Sequence, residues 1–138
     1  MSFTLDLILT DDIPKEANKA WGYIGALRDE YYDDETGAHE KLIKLESILT
    51  DKYPCLCSFD EDDPEIESCV WADGPMIGNF ASKMGMLAIS WSKADEVFPF
   101  VLQQAHALDI TVADGQSSII YRPGEEVEQP KKYWWKFW

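Results

Sequence analysis

The amino-terminal segment Phe3-Thr4-Leu5-Asp6-Leu7-Ile8-Leu9-Thr10 places Phe3, Leu5, Leu7 and Leu9 on one parity. A period of two puts those side chains on one face of a strand, which commits the chain to a sheet with core on that side. A strand cannot stand alone, so the remaining sequence has to supply strand partners and a layer of cover. Helical spacing supplies the cover. Beyond Pro14, which a first helical turn tolerates, Ala17, Ala20, Trp21, Ile24, Leu27, Arg28 and Tyr31 recur at steps of three and four and predict a helix to about Tyr32. Leu42, Leu45 and Leu49 form the stripe of a second helix that ends before Pro54. Val97, Phe98, Val101, Leu102, Ala105 and Leu108 form that of a third, opened by the capping-box pattern Ser92-x-x-Asp95 and carrying Pro99 near its start.

Partner strands are read in the apolar run from Met84 to Trp91, in Ile110 to Ala113, and in Ser117 to Tyr121 beyond the Asp114-Gly115 turn, with a short strand beginning at Val70-Trp71. The expected class is α+β: an antiparallel sheet with helices packed on one face, most simply a ferredoxin-like sandwich with an extra helix after the first. The 138 residues are expected to divide into one domain over 1–123 and a Trp-rich tail over 124–138, basic in its last ten residues, that shows no core pattern.

Charge is distributed unevenly along this framework. Residues 33–73 hold thirteen acids against Lys41, Lys44 and Lys52, a net of −10 out of −14 for the whole chain. The last ten residues contain no acid and interleave Lys131, Lys132 and Lys136 with Tyr133, Trp134, Trp135, Phe137 and Trp138. Clustered like charge opposes compaction and is useful chiefly for steering and complementarity, so the pattern favours a binder of a basic macromolecule over small-molecule chemistry. Direct nucleic-acid binding is not expected, because contacting phosphates needs a cationic footprint. The tail is expected to pack on protein, where Trp and Tyr anchor interfaces, and not to insert stably in a membrane. The amino terminus has no basic-then-apolar leader and no stretch approaches about 18 apolar residues, which predicts a cytoplasmic protein.

Motifs of chemistry are missing from the sequence. An EF-hand loop starting at Asp60 would need glycine and glutamate where Glu65 and Trp71 stand. Cys55, Cys57 and Cys69 would need His39 or His106 as a fourth zinc ligand at an unfamiliar spacing, so reduced thiols and no metal are expected. His39 reads as a capping or surface histidine at a helix start, and His106 as a packed or surface one. No phosphate loop, dinucleotide fingerprint, nucleophile elbow or zinc-protease pattern occurs, so neither catalysis nor a cofactor is expected.

The strings Tyr32-Asp33-Asp34-Glu35-Thr36-Gly37-Ala38-His39, Lys52-Tyr53-Pro54-Cys55, Trp71-Ala72-Asp73-Gly74-Pro75, Ile89-Ser90-Trp91-Ser92 and Pro99-Phe100-Val101 resemble those of small cytoplasmic bacterial immunity proteins encoded beside polymorphic or contact-delivered toxins. The resemblance implies a stoichiometric protein that binds a cognate toxin domain and blocks its active site. Set beside the charge pattern, it nominates Asp33, Asp34, Glu35, Asp60, Glu61, Asp62, Asp63 and Asp73 as toxin-binding acids, with Trp71 or a neighbouring aromatic as the desolvated anchor. A homodimeric structural or regulatory module, paired through a sheet edge, and an enzyme of unknown type are the alternatives.

Overall fold

In the computed structural model, which describes residues 2–9, 12–56, 59–60, 62–72 and 76–124, β1 (Ser2–Ile8) lies inside the sheet. It pairs with β2 (Met84–Ser90) on one side and β3 (Thr111–Asp114) on the other, and β3 pairs with β4 (Ile119–Tyr121). All pairings are antiparallel, in the order β2-β1-β3-β4, with Leu5 opposite Leu87 and Leu7 opposite Val112. Helices α1 (Ala17–Asp33) and α2 (Glu40–Lys52) connect β1 to β2, and α3 (Ala94–Ala107) connects β2 to β3.

The class is the expected one, an α+β fold on an antiparallel sheet. Helix placement differs from the expectation of cover on one face. Phe3, Leu5, Leu7, Leu87 and Ile89 share a core with Leu42, Leu45 and Leu49 of α2 and with Val97, Phe98 and Val101 of α3. On the opposite face Ile8, Met84 and Ala113 pack against Ala20, Ile24 and Leu27 of α1. Both parities of β1 are therefore covered, and Asp6 and Ile8, on the parity that alternation assigns to solvent, are buried. The ferredoxin-like arrangement gives way for a related reason. A split βαβ unit needs a strand between the two it connects, whereas β1 and β2 are direct antiparallel neighbours joined through a helix pair.

The α2/α3 face is aromatic and dry. Phe98 meets Phe3 and Tyr121 edge-on, with ring centroids 5.6 and 5.2 Å apart, a geometry that adds about 0.5–1.5 kcal/mol per pair beyond burial. Burial, with the nearby Asp114 charge, pushes the Tyr121 hydroxyl up to about 12. On the α1 face Asp6, only 1% exposed, meets the Arg28 guanidinium, while its Oδ1 has no hydrogen-bond partner among the described residues. Burial raises the Asp6 pKa, and the Arg28 contact only partly offsets it.

Local details follow the chemistry of the termini. The Ser92-x-x-Asp95 box is not made as a cap: residues Trp91–Lys93 form a 3-10 turn running straight into α3, with no side-chain cap. At the other end of α3 the Asp109 amide bonds to His106 O and the Ile110 amide to Ala105 O, with Asp109 at φ 62°, a Schellman closure that usually recruits glycine. Val70–Ala72 continues the sheet beyond β2 through Ser90 N to Val70 O and Ala72 N to Ala88 O, so the outer edge of β2 is covered there. At the opposite end of β2, Gly85 permits the close approach of Phe80, because a Cβ there would stand 2.5 Å from the Phe80 ring. Cys55 is disulfide-bonded to a partner outside the described residues, where reduced thiols were expected; Cys69 is free and buried. The tail beyond Gly124 lies outside the described residues.

Candidate binding surface

The nominated acids fall into two groups that flank opposite ends of α2, a helix about 20 Å long at 1.5 Å per residue. Asp33, Asp34 and Glu35 form the corner between α1 and α2, and Asp60, Asp62 and Asp63 lie on the segment after α2. Glu61 and Asp73 are outside the described residues. Asp33, Glu35, Asp60 and Asp62 are exposed and make no ion pair among the described residues.

Asp34 and Asp63 have structural duties instead. The Asp34 carboxylate accepts the Thr36 amide at 2.8 Å and, on Oδ2, both the Ser82 amide at 3.0 Å and the Ser82 hydroxyl. These bonds, the Ser82 hydroxyl first, hold its carboxyl well below the usual carboxylate range. Asp34 is thus a clamp that ties the end of α1 to residues 81–83, not a free docking charge. Asp63 caps the 3-10 turn Pro64–Ser68 by accepting the Glu65 amide at 2.9 Å, which fixes the shape of the acidic loop.

Trp71, nominated as the interface anchor, belongs to the core. It is 1% exposed, donates its indole N–H to Tyr53 O at 2.7 Å and bridges to Ile89 beside β2. A large ring that can pair its polar atom inside the protein gains more there than on the surface. The aromatic that does project among the acids is Tyr32, 71% exposed, set edge-on to Tyr31 and one residue before Asp33. Its signal in the sequence is its position off the α1 stripe, immediately after Tyr31.

A cleft of about 450 Å³ opens on the α1 face, lined by Leu9, Asp12, Tyr23, Ala26, Leu27, Glu30, His39, Ser82 and Lys83. It exists because residues 81–83 are stitched to three elements at once: Lys83 O accepts the Leu9 amide, Ala81 O accepts the His39 amide, and Ser82 bonds Asp34. His39 is the N-cap of α2, its Nδ1 accepting the Lys41 amide at 3.0 Å, in keeping with the capping role expected of it. With the Ser82 hydroxyl directed to Asp34 and His39 Nδ1 engaged as a cap, these two residues are not arranged as a nucleophile and its base. Across the fold, His106 Nε2 lies 3.0 Å from Tyr121 O, a packed histidine. Among the described residues no cluster of His, Cys, Asp or Glu is placed to hold a metal ion, and no helix is long and apolar enough to cross a membrane. Comparison with known proteins finds no family model, no curated protein and no solved structure that matches the chain.

Proposed function

We propose that this protein is a stoichiometric, non-catalytic binder of a basic protein: a cytoplasmic immunity-type protein that neutralises a cognate bacterial toxin by occluding its active site. The observation that carries the reading is the set of exposed acids that make no ion pair among the described residues: Asp33 and Glu35 beside the exposed ring of Tyr32 and the Asp34 clamp at one end of α2, and Asp60 and Asp62 beside the Asp63 cap at the other. Charges fixed in this way do not need reorganising on association, so they steer a cationic partner and then pair with it. Tyr32 adds a rigid aromatic contact of the type that dominates interface energetics. A net charge of −14 argues against direct binding to nucleic acid and for a partner that itself carries a basic groove.

A native pull-down of the tagged protein from its source cells, repeated at low and high salt, tests the reading. A one-to-one complex with a single basic polypeptide, lost at high salt, is the expected result. Recovery of the protein alone, as monomer or dimer, contradicts it and moves the weight to a self-assembling module or an enzyme.

A further inference from the structure

The cleft on the α1 face carries more negative than positive charge. Asp12 and Glu30 stand in its lining, and Ser82 of the lining is bonded to the Asp34 carboxylate. Leu9 and Leu27 give it an apolar wall, and Tyr23 adds an aromatic ring. That combination suits a lysine next to an aromatic residue: the methylene stem lies on the apolar wall, the ammonium reaches the carboxylates, and a ring stacks on Tyr23. The Glu30–Lys83 pair, at 3.1 Å with side chains 58% and 63% exposed, is of the kind worth little in water and so exchanges readily for another cation.

The described chain ends close by. Arg122 donates to Ile13 O at 3.0 Å and to Pro14 O at 2.7 Å, the residues that directly follow Asp12. Beyond Gly124 the sequence reaches Lys131 in seven residues, a span of up to about 25 Å. From there Lys131, Lys132 and Lys136 alternate with five aromatic residues and no acid.

We propose that the cleft is the docking site of the chain's own segment 129–138, which enters through a lysine and a neighbouring ring. Tethering supplies an effective concentration on the order of millimolar, enough for a contact too weak to persist between separate molecules. The segment then competes with any basic partner that approaches the α1 face. This inference does not rest on the toxin-neutralising reading and can hold or fail without it.

Zero-length carbodiimide cross-linking of the full chain, read by peptide mass spectrometry at low and high salt, tests the proposal. Lys19–Glu16, 3.7 Å apart, is the internal control. The expected result is a link from Lys131, Lys132 or Lys136 to Asp12 or Glu30 within one monomer, lost at high salt. Ala26→Trp, at an exposed helical position in the lining, fills the cleft while leaving every carboxylate in place, and is expected to abolish that link but not the control. Tail links to Asp60 or Asp62 instead, links only between two copies, no tail link while the control forms, or a link that survives Ala26→Trp would each overturn it.

Discussion

On the face covered by α2 and α3, β1 presents Phe3, Leu5 and Leu7 to an unbroken apolar layer that includes Phe98, Trp71 and Tyr121. On the face covered by α1 it presents Ile8 and Asp6, and the apolar packing there is joined by polar ties, Arg28 on Asp6 and Ser82 on Asp34. The comparison separates two jobs. One face stabilises the fold almost entirely through apolar burial, which depends little on pH. The other fixes charged groups in position, tolerates a cleft, and leads directly into the acidic corner at Asp33–Glu35.

The largest effect is expected on the dry face. Phe98→Ala removes a ring that touches both Phe3 and Tyr121 and should cost about 3–5 kcal/mol in chemical denaturation, with little dependence on pH. Loss of that order would confirm that this layer dominates stability; a cost near that of a surface change would erase the distinction between the faces.

Arg28→Leu tests the other face and should come next, at about 3 kcal/mol near neutral pH, because it leaves a buried carboxylate unpaired. The companion Asp6→Leu/Arg28→Leu variant should regain most of that loss. The pH signature is specific. The Asp6 pKa is raised in the folded state, so the folded form takes up its proton at a higher pH than the unfolded chain does, and the penalty shrinks as pH falls toward the ordinary value of 3.8. Urea titrations of the Arg28→Leu variant over this range would show the loss narrowing on acidification.

Asp34 should behave in the opposite sense. Its pKa is lowered in the folded state, so its contribution is fully present above the ordinary value of 3.8 and is lost as pH falls below it. Asp34→Asn should therefore flatten the acid limb of the stability profile, and an unchanged limb would mean the Ser82 clamp is not what fixes this corner. The smallest effect is a gain: Asp109→Gly relieves a left-handed residue at the end of α3 and should stabilise by about 1 kcal/mol.

Much of the framework was legible because local patterns coincide with the final structure. The Leu42, Leu45, Leu49 stripe is the buried set of α2, and Val97, Phe98, Val101, Leu102 and Ala105 of the third stripe are buried in α3, with Leu108 half-buried at its C-cap; the Asp114-Gly115 turn joins β3 to β4. What was not legible depends on distant partners. Alternation cannot say that α1 returns to cover Asp6 and Ile8, although an acid within an apolar strand and Arg28 within the α1 stripe were a usable hint. Strand order depends on pairing Ser2 with Ser90 across most of the chain. Likewise, counting acids from 33 to 73 gave their number but not their separation by α2, nor that Asp34 is consumed by Ser82 and Trp71 by Tyr53. The cleft has no motif at all, since Leu9, Tyr23, His39 and Lys83 come from four separate parts of the chain.

The central claim is that exposed, unpaired acids recruit a basic protein. The most direct measurement is the association rate constant of the partner isolated by pull-down, followed by stopped flow across a range of ionic strength for the wild type and for Asp60→Asn/Asp62→Asn. Electrostatic steering contributes about 10- to 1,000-fold in such systems, so the account predicts a markedly slower and less salt-sensitive association for the variant, with folding unchanged. Equal rates and equal salt dependence in the two proteins would contradict it.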